Sequence, residues 1–417
     1  MKKLSFLLLI VSFYLGCSPQ PEKESLQRIE FSDAYAERYQ LTEKQLYDKI
    51  LGMIVGSAIG DAMGAPTEMW SRPQIQENYG FVESLDSVNR FSSPEGTWID
   101  SLPPGGTTDD TRWKILLSDF LQTQDTSSLD PSAFSKYILV EHQSYLRELN
   151  EVNSEDYEPY RPVLLKMGWL QEWSKVSTGY LSSNPQEYGN ALGKFYGGEM
   201  VCAGLLYASS IGAYFPGNPE KAYEEAFRLS LYDIGYAKDI TAMAAAMTSS
   251  AMTLNISMEE VKSSLELDPK GYFDSRLVGR SSFVWVKEAE RIDLESRGLD
   301  SINSRLSLES TELAFAYQEL DRKQQDMPFH AGEIFLQTLT AMYYTDFDFI
   351  QTLNFLTNYG RDNDTTAALA GGILGAYYGF ERLPTKEKHL VLDVAKSKLN
   401  QDLERTAKEL TAHMLGK

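Results

Sequence analysis

The chain has 417 residues, enough to bury a large core, and 42% of them are hydrophobic, as in a globular rather than a disordered protein. It carries 39 basic against 59 acidic residues, a formal net charge of −20. A nucleic-acid binder needs a basic face, so that class is set aside. Two cysteines, Cys17 and Cys202, and four scattered histidines exclude a disulfide framework and a cysteine-ligated zinc site. A bound metal would therefore take oxygen ligands.

Lys2 and Lys3 precede an apolar run from Leu4 to Leu15, too short to span a bilayer and fitting the core of a secretion signal. Gly16-Cys17-Ser18 after it resembles the lipobox of bacterial lipoproteins, with Tyr14 departing from the usual Leu. The expectation is a lipoprotein signal over residues 1–17, lipidation of Cys17, a polar tether over 18–40 and a single domain over 41–417. Such a protein would sit in the bacterial cell envelope, outside the cytoplasm, touching the membrane through its lipid only. A plain signal peptide is the alternative, and it too leads out of the cytoplasm.

Thr42-Glu43-Lys44-Gln45 reads as a capping box, with Leu41 and Leu46 as a hydrophobic staple, so a helix should start at Glu43. Along it glycines recur at 52, 56, 60 and 64, a smooth ridge suited to close helix contact at Gly52 and Gly56. Asp61 and Glu68 put two acids where that helix stops. Residues 71–104 are rich in Pro, Ser and Asn and read as loop. Thr108-Asp109-Asp110-Thr111 then leads into an amphipathic helix. Residues 125–190 alternate short helical patterns with turns, and their aromatics suggest packing or a cleft wall.

Gly197-Gly198 should enter a helix and either meet an anion through backbone N–H groups or let two backbones touch, with Cys202 on that helix as an inert core thiol. Two helices follow between Glu220 and Ser250, then helical periods over 258–330, where Lys287 to Arg297 reads as a solvated face. An aromatic-rich stretch delivers the chain to Asp362-Asn363-Asp364-Thr365, which runs into an Ala- and Gly-rich helix. One amphipathic helix from Lys386 to Leu415 closes the chain. Helical spacing throughout and no βαβ rhythm predict an all-α fold.

Each acidic set has a simple alternative, because Asp and Thr are ordinary N-cap residues and acids favour a helix N-terminus. Packing alone does not call for three such sets, and gathering their carboxylates demands compensating cations. Three motifs in order, Gly56-x-x-x-Gly60-Asp61-Ala-x-Gly64-x-Pro66-x-Glu68, Thr108-Asp109-Asp110-Thr111 and Asp362-x-Asp364-Thr365, make the chain resemble the ADP-ribosylglycohydrolase family over roughly 46–382.

The resemblance implies a compact orthogonal all-α bundle with a binuclear magnesium site, two Mg²⁺ with Mn²⁺ as a substitute. It places the metal ligands at Thr108, Asp109, Asp110, Asp362, Asp364 and Thr365. Glu68 would be the catalytic acid or base, Asp61 a nearby supporting acid, and Gly197 and Gly198 would bind substrate. The implied reaction is hydrolysis of an N- or O-glycosidic bond at a ribose-type anomeric carbon, on a small molecule or a glycosylated or ADP-ribosylated substrate. The chain departs from the family pattern at Asn363, at Glu199 beside Met200, and at Tyr232-Asp233, where many members carry Thr-His. Glu199 would repel a diphosphate, which leaves a non-catalytic nucleotide- or sugar-binding lipoprotein as the second reading.

Overall fold

A computed structural model describes residues 29–89, 101–125, 127–152, 170–271, 275–299 and 305–417. The signal and Cys17 lie outside these. Phe31–Lys417 forms one unit, so residues 31–40 of the expected tether stand within it. Among the described residues the only sheet is a ribbon of β1 (Tyr35–Ala36) antiparallel to β2 (Leu41–Thr42). Everything else regular is helical, and the protein is an all-α bundle.

α1 (Glu43–Gly64) starts where its capping box predicts, with Gln45 N donating to Thr42 Oγ1 at 3.2 Å and Thr42 N to Gln45 Oε1 at 2.8 Å. With the turn that follows, it is long and apolar enough to cross a membrane, yet its apolar stretch is wholly buried in the bundle. The stretch expected as loop contains α2 (Arg72–Tyr79). Its signal is Ser71, whose N and Oγ both donate to Gln74 Oε1, ahead of Pro73, which needs no N–H in a first turn. α3 (Asp109–Leu121) begins at the second acidic motif. Where short helices were expected, α4 (Pro131–Glu151) runs for 21 residues, followed by α5 (Leu170–Leu181) and α6 (Pro185–Leu192).

The glycine pair does not enter a helix. Gly197 and Gly198 lie in a single 3₁₀ turn with φ of +73° and +86°, values a right-handed helix cannot continue. α7 (Leu205–Tyr214) starts only after Gly204, so Cys202 precedes the helix, buried, with its N–H donated to Phe329 O at 3.0 Å. α8 (Pro219–Leu229), α9 (Ala237–Ala251), α10 (Met258–Ser263), α11 (Phe283–Ser296), α12 (Thr311–Asp321), α13 (Ala331–Tyr344) and α14 (Phe349–Tyr359) follow as the periodicity indicates. α9 is buried along nearly its whole length against α7 and α8, which its alanines permit.

α15 (Asn363–Tyr378) carries the third motif. The last segment is two helices, α16 (Thr385–Lys398) and α17 (Leu403–Met414). Asn400 turns left-handed between them, and the Asp402 side chain caps the second by accepting from Arg405 N at 3.0 Å.

The frame that positions the site is the antiparallel contact of α1 with α15. Gly52 faces Gly375, Gly56 faces Gly371, Gly60 faces Ala367 and Gly64 faces Asp364. A Cβ at Gly60 would fall 2.0 Å from Ala367 O, and one at Gly56 2.4 Å from Gly371 O. Gly371 and Gly375 return the constraint, with a Cβ at either within 2.2 Å of a carbonyl of α1. All four ridge glycines are thus contact residues, two more than the sequence argument assigned. Each costs up to ~1 kcal/mol of helix propensity relative to Ala, offset by dispersion along backbones in contact.

Lys49, buried beside this seam, donates to Ala251 O, Ala376 O and Tyr377 O, the last carbonyls of α9 and α15. The seam therefore delivers the N-terminus of α15, with its acids, to the end of α1.

Candidate metal centre

The three acidic motifs meet at one place. Asp61 is completely buried, and its oxygens accept from Thr108 N at 2.9 and 3.1 Å, Thr111 N at 2.9 Å and Thr111 Oγ1 at 2.6 Å. It serves as an anchor that holds the start of α3 against α1. Burial, with Asp110 next in effect, pushes its carboxyl up to about 6.

α3 and α15 then converge by their N-termini. Thr108 caps α3, accepting from Asp110 N at 3.3 Å, and its Oγ1 also donates to Asp364 Oδ2 at 3.3 Å. Thr365 Oγ1 donates to Asp110 Oδ2 at 2.9 Å. The positive ends of two helix dipoles therefore face the acids, as an anionic cluster requires. The cap reading and the ligand reading of these residues are both realised: Thr108 caps its own helix and touches an acid of the other.

Glu68, Asp362 and Asp364 converge, each offering an oxygen within 4.8 Å of the others. Asp362 and Asp364 are buried, and both hold their protons well above the usual carboxylate range. For each the largest cause is burial, followed by the Glu68 charge. Asp109, at the edge of the cluster, is pushed up to about 7 by burial and then by Asp110.

These observations test whether a cation fits. The donors are carboxylates and hydroxyls only, they converge, and their mutual repulsion is what a divalent ion would relieve. A hard cation fits this set. The Glu68, Asp362 and Asp364 oxygens would hold it, and Thr108, Asp109, Asp110 and Thr365 stand in the same cluster. Glu68, read from the sequence as catalytic, thus lies within ligand distance of Asp362 and Asp364.

Other residues gain their meaning only from the structure. Lys114 is buried and places Nζ 3.2 Å from Asp110 Oδ1, a fixed cation one helical turn below the acid. That i,i+4 spacing is visible in the sequence. Asn363, the departure from the family pattern, is buried and donates to Thr67 Oγ1 at 2.8 Å and Thr357 O at 3.0 Å, so it ties the Glu68 loop to the end of α14. Asp233, the other departure, accepts from Gly204 N at 2.8 Å and Thr241 Oγ1 at 2.7 Å. It caps the approach to α7 and fixes it to α9.

Gly197 and Gly198 are exposed, and a Cβ at Gly197 would meet nothing within 4 Å, so no close backbone contact explains that glycine. Glu199 is exposed too, and its charge favours the protonated form of the His330 ring, against a larger opposing effect of burial. Trp173 packs at 5.1 Å against Trp113, tilted, and at 5.0 Å edge-on to Phe195, with 3% of its surface exposed, which makes it core rather than cleft wall.

Comparison with known proteins agrees with this architecture. The sequence profile described as ADP-ribosylglycohydrolase matches residues 42–416. A curated Escherichia coli relative, "Uncharacterized protein YegU", is 30% identical over 105 residues, 22% of this chain and 26% of the relative. A Rhodospirillum rubrum relative, "ADP-ribosyl-[dinitrogen reductase] glycohydrolase", is 31% identical over 86 residues, 21% of this chain and 26% of the relative. Both alignments thus span about a quarter of the curated proteins.

Among solved structures, an "ADP-ribosylglycohydrolase-related protein complex" superposes with a TM-score of 0.50 at 18% identity, covering 89% of this chain and 99% of the other, a likeness of fold. With a profile match that runs through all three acidic motifs and nearly the whole of the helical unit, the chain belongs to the ADP-ribosylglycohydrolase family.

Proposed function

We propose that this protein is a divalent-metal-dependent hydrolase of an N- or O-glycosidic bond at a ribose-type anomeric carbon. The observation that carries the reading is the convergence of Glu68, Asp362 and Asp364 on one point at the meeting of two helix N-termini. Two Mg²⁺, or Mn²⁺ in their place, would be held by Thr108, Asp109, Asp110, Asp362, Asp364 and Thr365, supplying charge stabilisation and polarisation of oxygens at the anomeric centre. Glu68, less buried than the two aspartates, would reach the ion through one oxygen and leave the other to exchange a proton with substrate or water. Asp61 acts through others: its four hydrogen bonds fix Thr108 and Thr111 and so aim the first turn of α3.

The name of the R. rubrum relative points to an ADP-ribosylated substrate. Glu199 beside the exposed Gly197-Gly198 turn argues for a substrate with less negative charge than a diphosphate, such as a nucleoside or a glycan. The sequence signal at Cys17 supports a lipid-anchored position outside the cytoplasm. The test is turnover of ADP-ribosylated peptides, nucleosides and oligosaccharides by the purified protein with Mg²⁺ or Mn²⁺, beside an Asp364→Ala variant. Turnover lost in the variant is the expected result. Turnover retained there refutes the assignment, and binding with the ligand recovered intact makes the protein a receptor rather than an enzyme.

A further inference from the structure

Glu68 and Asp362 come to the cluster on two loops far apart in sequence, and the structure shows what locks those loops together. Met69 and Arg361, the residues flanking the two acids, both adopt left-handed backbone, with φ of +63° and +65°. Non-glycine residues keep that conformation only where their surroundings enforce it, and such strain gathers at functional sites. The two loops are bonded to each other on either side: Met69 N donates to Arg361 O at 2.7 Å and Arg361 N to Trp70 O at 2.9 Å. Gly360, with φ of +89°, completes the close fit, since a Cβ there would lie 2.5 Å from Trp70 O.

The enforcement comes from a second network behind the loops. Arg361 forks onto Glu333 of α13, Nε to Oε1 at 2.8 Å and Nη2 to Oε2 at 2.9 Å, and Nη2 also donates to Gln325 O at 2.7 Å. Glu333 is 1% exposed, and its remaining acceptor sites take Gln337 Nε2 at 2.9 Å and Gln325 N at 2.7 Å. Both Glu333 oxygens thus accept two hydrogen bonds each, and a buried ion pair whose carboxylate is so filled rigidifies its surroundings.

We propose that Arg361, held by Glu333, is a positioning residue for the metal centre. It fixes the separation of Glu68 and Asp362 and thereby sets the affinity of the site for a divalent cation. The proposal rests on the metal-centre reading given above.

The test is calorimetric titration of Mn²⁺ into metal-free wild type, Arg361→Gly, Glu333→Gln and, as a control, Asp239→Asn, with the Tm of each metal-free protein measured alongside. Asp239 accepts a similar buried fork from Arg280, but links α8 and α9 to the segment before α11. Glycine accepts the left-handed backbone at no steric cost, so Arg361→Gly removes the clamp without adding strain. If it does not fold, Glu333→Gln, equal in shape, carries the test.

Affinity for Mn²⁺ should fall roughly 10- to 100-fold in both clamp variants, as for outer partners of metal ligands generally. It should be unchanged in Asp239→Asn although that Tm drops. Clamp variants with a lowered Tm and wild-type Mn²⁺ affinity would overturn the positioning role and leave a structural tie. Absence of Mn²⁺ binding in the wild type would instead refute the metal-centre reading itself.

Discussion

The α1–α15 contact has two ends built on opposite principles. From Gly52 to Gly60 it is a dry seam, backbone against backbone, where any added atom collides. Beyond Gly60 the same pair of helices opens onto Asp61, Glu68, Asp362 and Asp364, acids whose burial and mutual proximity raise the free energy of the fold. The seam stabilises and the acid end costs stability, yet the seam's register is what brings the acids into contact. Stability spent at one end is recovered only if a cation arrives there. This is the expected economy of a binding site mounted on a rigid frame.

The sharpest way to break the comparison is at the seam. Gly60→Leu forces a side chain into Ala367 O, a backbone atom that cannot swing aside. A loss above about 4 kcal/mol is expected, a large part of the ~5–15 kcal/mol of a typical domain. Urea unfolding should show it equally with and without Mg²⁺. A wild-type midpoint would mean that the helices are not in contact there.

The acid end should respond in the reverse direction. Asp364→Asn removes one of the mutually repelling carboxylates, so the metal-free protein should be as stable as wild type or more so. Its Mg²⁺-induced stabilisation, about 3–4 kcal/mol for a wild type at 100 to 1,000 times Kd, should vanish together with turnover. Calorimetric melting with EDTA or Mg²⁺ checks both halves; a variant that melts lower without metal contradicts the repulsion.

Protonation separates the ends next. In the metal-free fold Asp61 and Asp109 bind their protons more tightly than in the unfolded chain, titrating at about 6 and about 7. The stability they lend is complete below the unfolded value of about 4 and drains away as pH climbs through the folded values. The Tm in EDTA should therefore fall between pH 5 and pH 8, whereas Mg²⁺, which needs the ionised acids, should protect more as pH rises. Parallel curves with and without Mg²⁺ would contradict this.

The smallest effect is expected at the border of the two regions. Asn363→Ala deletes the bonds to Thr67 and Thr357 and should cost about 1–3 kcal/mol, because buried groups lose partners. Equilibrium unfolding measures it. A neutral result would show that the Glu68 loop is held by the 69–361 pairing alone.

How far this could be read from the sequence follows the same division. Glycines four apart announced a helix contact before its partner was known, because helical period and small residues are local signals. The three acidic motifs were legible as sets at helix starts, and the family resemblance placed them together. Arg361 was not legible. Its role depends on a left-handed backbone and on Glu333, 28 positions away, and neither leaves a periodic trace. Gly197-Gly198 misled because glycine pairs are as common in turns as before helices, and only the backbone angles decide. The helix at Arg72 was hidden by composition, although its Ser71–Gln74 cap was there to find.

The most direct test of the metal centre is anomalous diffraction from crystals of the protein grown with MnCl₂ and measured across the manganese edge. A peak among the oxygens of Glu68, Asp362 and Asp364 is the expected result. Well-ordered side chains at that place with no anomalous density, or manganese only elsewhere, would contradict it.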